Sequence, residues 1–244
     1  MNEFKKQLIE ALKDQKEIFG DELLSRSILQ RKTTVVTRIQ PEDINENSLF
    51  DVKDDWEKAS SLQELDNLIN KCTKCPLHKS RTNFVFGVGS PNAKVMVVGE
   101  GPGAEEDAQG EPFVGRAGKL LNDILKAINF KREEVYIANV VKSRPPGNRT
   151  PTAEEMEACV PYLKKQIDLI KPKLILCLGL TAAQGLLKKR ESLTSLRGQL
   201  FEYRGAKVMV TYHPAALLRN PNWKKPCWED MKKFRQLYDD ISNS

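Results

Sequence analysis

The 244-residue sequence predicts an α/β protein: a three-layer α/β/α domain around a central four-stranded parallel sheet, preceded by a weakly ordered N-terminal extension. Three observations predict it. Four short apolar runs alternate with segments whose apolar residues recur at helical spacing. Each run ends in a loop carrying glycine or proline. Strands this uniformly apolar need cover on both faces, which crossover helices supply to a parallel sheet.

The elements follow in order. Phe4, Leu8, Ile9, Leu12 and Ile18 are spaced for a short amphipathic helix over 3–19, and the polar, acidic stretch to residue 58 resembles a tether. Residues 1–58 are therefore expected to be an extension, and 59–244 the folded domain. A helix around 61–70 leads to "AKVMVVGEGPG", a buried strand running into a glycine-rich loop. Then come "AGKLLNDILKAI" (helix), "EVYIANVV" (strand) and "TAEEMEACVPYLKKQIDLI", a helix with Thr152 as N-cap and Glu155 three residues on. "PKLILCLG" (strand), "LTAAQGLL" (helix), "AKVMVTYHP" (strand) and "PCWEDMKKFRQLYDDI" (helix) complete the pattern.

Charge is unevenly spread. Residues 1–60 carry a net −3, so the remainder of this +6 chain carries +9. A basic body favours nucleic acid or another polyanion, because phosphate contacts release condensed counterions. No apolar run approaches the roughly 18–20 residues of a membrane span, and the first residues mix both charges, unlike a secretory signal. The expectation is a cytoplasmic monomer with no membrane partner.

Ligands of such folds bind beyond the carboxyl ends of the strands, which gathers loops 99–116, 139–151, 179–181 and 211–220 at one edge. The first loop, "GEGPGAEEDAQGEPFVGRAG", has glycines for close approach but neither phosphate-loop signature. Its Glu100, Glu105, Glu106 and Asp107 suit water or sugar chemistry better than a phosphate, and Phe113 is either a stacking platform or a small core anchor. Asn139 ends a strand, where an amide offers a base edge both donor and acceptor; the alternative is a turn former. His213, one of two histidines, ends the last strand and projects toward the same edge. Leu217 and Leu218, followed by Arg219, form an apolar wedge beside a phosphate contact or else pack the closing helix. The loop "NVVKSRPPGNRTP" is stiff and basic, contributing Arg144, Asn148 and Arg149.

Five cysteines, an odd number, argue against a disulfide framework. Cys72 and Cys75 form a CxxC before the first core strand, which favours a metal or iron–sulfur site over a redox dithiol. Cys159 is a plausible third ligand and Cys177 a packing residue, with no obvious fourth.

Together "GEGPGAEED", "EPFVGRAGKLL", "NVVKSRPPGNR", "EACVPYL" and "TYHPAALLR", in this order from about Asp66 to Asp240, resemble the family-four, iron–sulfur uracil-DNA glycosylases. The resemblance implies a DNA-repair enzyme that flips uracil out of single- or double-stranded DNA and hydrolyses its N-glycosidic bond. It implies that Glu100, Gly101 and Pro102 line the uracil pocket, Phe113 stacks on the base, Asn139 reads its edge and His213 bonds the uracil carbonyl. It also implies a [4Fe–4S] cluster on Cys72, Cys75, Cys159 and a fourth cysteine, in whose place this chain has Ser143. A serine oxygen is a harder ligand than a thiolate. The expectation is a weakened cluster, with a three-iron centre or none as alternatives.

On this reading Arg144, Arg149 and Arg219 grip phosphates, Leu217 or Leu218 fills the vacated stack, and Glu106 or Asn148 (Glu100 less so) holds the attacking water. No lysine stands out as a Schiff-base nucleophile, so no lyase activity is expected. A related branch that traps DNA through a histidine before the last strand fits poorly, because residues 179–212 contain none. A non-catalytic, metal-containing nucleic-acid-binding module is the rival of another class. The N-terminal extension could dock a repair or replication partner in either case.

Overall fold

The structure, a computed structural model, describes residues 55–243. The expected helix over 3–19 and the tether up to residue 54 lie outside the described residues; the last four residues assigned to the tether, Asp55–Lys58, instead form a 3-10 turn, with Trp56 packed edge-on against Tyr162 and Glu57 O accepting from Lys165. A 3-10 turn over Asp55–Lys58 precedes helix α1 (Leu62–Ile69), whose N-terminus is closed by reciprocal bonds: Glu64 N–H donates to Ser61 Oγ, and the Glu64 carboxylate accepts from Ser60. The chain then forms β1 (Val88–Gly89), β2 (Val95–Gly99), α2 (Ala104–Gln109), α3 (Arg116–Ala127), β3 (Tyr136–Asn139) and α4 (Ala153–Ile170). It continues through β4 (Leu174–Leu178), α5 (Leu180–Leu187), α6 (Leu193–Leu196), β5 (Leu200–Tyr203), β6 (Ala206–Thr211), α7 (Pro214–Arg219) and α8 (Lys224–Asn243).

The sheet order is β1-β3-β2-β4-β6-β5. Its four central strands are mutually parallel, as the apolar runs predict, and β2, β3 and β4 are buried at every position. The sheet is wider than expected. β1 and β5 add antiparallel edges of two and four residues. Neither reads as a core strand, because β1 is too short and β5 alternates exposed with half-buried residues. Two apolar clusters form the outer layers' contacts, one including α4 and α5 residues such as Leu163 and Ala183, the other α3 and α8 residues such as Leu121 and Phe234.

Helix α4 starts as the sequence predicts. Glu155 N–H donates to Thr152 Oγ1 (3.3 Å) and Thr152 N–H donates back to the Glu155 carboxylate (2.8 Å). Two short helices inside expected loops are new. α2 is bounded by Gly103 and Gly110, and α7 is capped by His213 itself.

Candidate active site

The carboxyl ends of β2, β3 and β6 open into one cleft of about 400 Å³. It is lined by Glu100–Gly103, Glu106, Phe113, Asn139, Asn148, Arg149, His213 and Arg219, so most residues singled out from the sequence do converge. Ala117, Pro145, Thr150 and Ala215 also line it. Backbone pairing continues past the strands: Val140 N–H donates to Gly99 O and Val141 N–H to Glu100 O, which fixes the two loops side by side.

Asn139 is 2% exposed, and its Oδ1 is a buried acceptor with no hydrogen-bond partner among the described residues. Leaving such an atom unpaired costs about 1–3 kcal/mol, so its persistence at the cleft floor is a ligand-shaped feature. Gly99 makes the space for it. A Cβ there would run into Asn139 Oδ1 and come within 2.6 Å of the Phe113 ring. Phe113 adopts φ +54° and is held against α3, where a Cβ on Gly118 would strike its carbonyl oxygen. Its ring lies 5.5 Å from the His213 ring, tilted by 30°.

His213 caps α7 through Nδ1, which accepts the Ala215 N–H at 3.2 Å. The proton of the neutral imidazole must then sit on Nε2, leaving a donor. Burial, with the Arg219 charge adding to it and Glu106 opposing, pushes its pKa down to about 4. The ring is therefore an uncharged donor at neutral pH.

The acidic loop is arranged differently from the expectation. Glu106 Oε2 accepts from Gly103 N–H, and Oε1 from Val114 and Gly115 N–H, all at 3.0 Å. This carboxylate braces the loop that carries Phe113. Glu100 also lines the cleft, and its carboxylate makes no hydrogen bond to another described residue. Asn148, in a left-handed conformation (φ +58°), accepts from Arg144 Nε at 2.7 Å.

Two further assignments shift. Arg149 donates to both oxygens of Glu155 (2.8 and 2.6 Å), whose side chain is 4% exposed. These bonds hold the Glu155 carboxyl below its ordinary range. The arginine thus anchors the 139–151 loop to α4. Leu217 is 1% exposed and packs in the α3/α8 cluster, whereas Leu218 is 38% exposed. Burial takes Leu217 out of the wedge role, whereas Leu218 is accessible at the surface.

Cys72, Cys75, Ser143 and Cys159 line a second, much smaller cavity on the other side of the 139–149 segment. Arg81 ties its parts, donating to Cys72 O (2.7 Å), Asn70 O (3.3 Å) and Ser143 Oγ (3.2 Å). Burial pushes the Cys159 thiol up to about 12, partly countered by Lys142. Lys142 is wholly buried and donates to Gln166 Oε1 at 2.6 Å; burial pushes its pKa down to about 8. Among the described residues, no three His, Cys, Asp or Glu side chains converge on one metal position. Cys177 is fully buried in β4, as expected of a packing residue.

The Lys142–Gln166 pair and the Asp107 carboxylate, which accepts from Thr82 and Asn83 N–H, were not foreseen. A buried polar residue carries no mark of its partner in the sequence.

Comparison with known proteins agrees with this geometry. Residues 86–232 match the model of the uracil DNA glycosylase superfamily. The type-4 uracil-DNA glycosylase of Thermotoga maritima is 51% identical over 186 residues, covering 75% of this chain and 97% of that protein. Those of Pyrobaculum aerophilum (48%, 71% of this chain and 92% of the relative) and Archaeoglobus fulgidus (44%, 72% and 93%) are similar over the same extent. The chain belongs to the type-4 uracil-DNA glycosylase family within the uracil DNA glycosylase superfamily.

Proposed function

We propose that the protein is a DNA-repair enzyme that excises uracil by hydrolysing its N-glycosidic bond and leaves an abasic site. The observation that carries this reading is the unpaired, buried Asn139 Oδ1 at the floor of a cleft between Phe113 and His213. Uracil offers N3–H, a donor that this acceptor lacks; cytosine offers a lone pair there instead. A site that hydrogen-bonds its substrate rejects the analogue lacking that group by up to about 10⁴–10⁵-fold. The non-catalytic binding module has no support beside relatives of 44–51% identity that are named type-4 uracil-DNA glycosylases.

The target nucleotide must leave the stack to reach a pocket of this kind. Leu218 fills the gap, and Arg144 and Arg219 meet the backbone. The base lies against Phe113 with its N3–H on Asn139. As the C1′–N1 bond lengthens, negative charge grows on the uracil carbonyl and His213 Nε2–H stabilises it. One well-placed donor of this type contributes on the order of 3–4 kcal/mol. Glu100, whose carboxylate has no hydrogen-bond partner among the described residues, holds the water that attacks C1′; Glu106 keeps the loop closed around it. No lysine lines the cleft among the described residues, in keeping with a monofunctional glycosylase. Comparing release of base from uracil-containing and thymine-containing oligonucleotides tests the proposal. Selective release of uracil is expected, and none from folded protein would overturn it.

Cys72, Cys75 and Cys159 would hold an iron–sulfur cluster, with Ser143 as fourth and weakest ligand. The donor set fits. Cluster ligands ring a cavity, each on its own iron, and need not converge on one point. Such a cluster would supply a covalent staple between the segment before β1, the 139–149 loop and α4, with no step in the hydrolysis. The hydroxyl of Ser143 is harder to deprotonate than a thiol, so the cluster is weakened. Iron and sulfide retained after chelator challenge should rise in Ser143→Cys; equal retention would remove Ser143 from the ligand set. We infer, too, that the catalytic domain begins near residue 55, where Trp56 packs against Tyr162, and that the extension before it meets a repair or replication partner.

A further inference from the structure

Beyond the cleft, Trp223 stands out as a large ring that is 39% exposed immediately after the active-site helix α7. It is rigidly mounted. Its indole stacks on Tyr212, with centroids 5.0 Å apart and planes 17° from parallel. The Arg197 guanidinium lies 4.5 Å from the Tyr212 centroid. Two groups cannot share one ring face, so Tyr212 is sandwiched between them. Arg197 in turn is fixed by Asp230 (3.0 and 2.9 Å) and Pro226 O (2.6 Å), and Asp230 accepts the Thr211 hydroxyl at 2.8 Å. An Arg–Tyr–Trp column thus rises from the buried end of β6 to the surface.

The column stands at the edge where DNA meets the site. Tyr212 directly precedes His213, and exposed Leu218, Arg219, Lys224 and Lys225 flank the indole in sequence. An aromatic face beside cations is how proteins hold unpaired bases: stacking supplies about 1–3 kcal/mol per base, and the cations track the backbone. Core packing explains Tyr212, which is 9% exposed, but does not require an indole left half in water beyond it.

We propose that Trp223 is a stacking platform for a nucleobase flanking the extruded nucleotide, one that strand opening or single-stranded DNA leaves unpaired. This rests on the glycosylase reading for the position of the DNA. It adds a base-binding subsite outside the uracil cleft, indifferent to which base it takes.

The test uses the full-length protein and single strands containing an abasic-site analogue, with the flanking nucleotides either intact or themselves lacking bases. Trp223→Ala should weaken binding of the intact strand by about 5–150-fold, the span that base stacking corresponds to. It should have no effect on the strand whose flanks lack bases. Trp223→Phe should retain most of the affinity, which separates stacking from misfolding. A fluorescent adenine analogue beside the abasic position should be quenched by wild type and not by Trp223→Ala. Equal losses on both strands, or no loss on either, would overturn the proposal and leave Trp223 as packing for Tyr212 or a surface for another protein. Absence of uracil release by wild type would sink the catalytic reading alone, since these binding differences are measured without it.

Discussion

The 139–149 segment has a cavity on either side, and the two are built on opposite principles. The base cleft is complete without its ligand. Gly99 leaves room, Glu106 braces the loop through three amides, His213 is locked in one tautomer, and Asn139 Oδ1 has no partner among the described residues. The cysteine cavity, on the proposed reading, is built around an occupant. Burial pushes the Cys75 thiol up and that of Cys159 up to about 12, and Arg81 stitches a hydroxyl to a backbone carbonyl across it. A preorganised site lowers a transition state because nothing has to move when charge develops. A site that needs its occupant contributes stability only when filled. The comparison separates residues whose loss should affect chemistry from those whose loss should affect folding.

The sharpest break of that comparison is His213→Ala. It should slow uracil release by about 10²–10³-fold, the cost of one lost oxyanion donor, while leaving DNA affinity nearly unchanged in a filter or anisotropy assay. Gly99→Ala should come next: its Cβ collides with Asn139 Oδ1 and the Phe113 ring, so excision should collapse although the cysteine cavity is untouched. The two adjacent leucines should divide cleanly. Leu217→Ala should cost about 2–4 kcal/mol of stability in denaturant unfolding by emptying a core position. Leu218→Ala should leave stability alone and slow excision from duplex DNA more than from single strands. The last effect is the pH dependence, seen only below neutrality. His213 has a folded pKa near 4, below its ordinary 6.5, so the unfolded chain takes up the proton more readily. Stability should be unaffected by this group above pH 6.5 and decline as pH falls toward 4, and replacing His213 with Gln should remove that part of the slope.

Much of this was legible in the sequence because strands and motifs are local. The four parallel strands are continuous apolar runs, and the loops after them fall at one edge by topology. Thr152 and Glu155 announce their helix three residues apart. What stayed hidden depends on partners distant in the chain or on register. Glu106 looks like a catalytic carboxylate until Val114 and Gly115 donate to it, and Arg149 like a phosphate contact until Glu155 engages both its amino groups. Leu217 and Leu218 are neighbours in composition, yet successive helix positions point about 100° apart, and only the cap at His213 decides which faces the core. The six residues of α2 are too polar to announce a helix. That Asn139 Oδ1 accepts no hydrogen bond among the described residues is a property of three dimensions alone.

The central claim is that Asn139 Oδ1 selects uracil through its N3–H. It is tested most directly by single-turnover release from otherwise identical oligonucleotides carrying uracil or N3-methyluracil, with wild type and Asn139→Ala. The account predicts rapid release of uracil, release of the methylated base slower by orders of magnitude, and a gap that narrows sharply in the variant because uracil alone is slowed. Similar rates for the two bases in wild type, or an unchanged gap in Asn139→Ala, would contradict it.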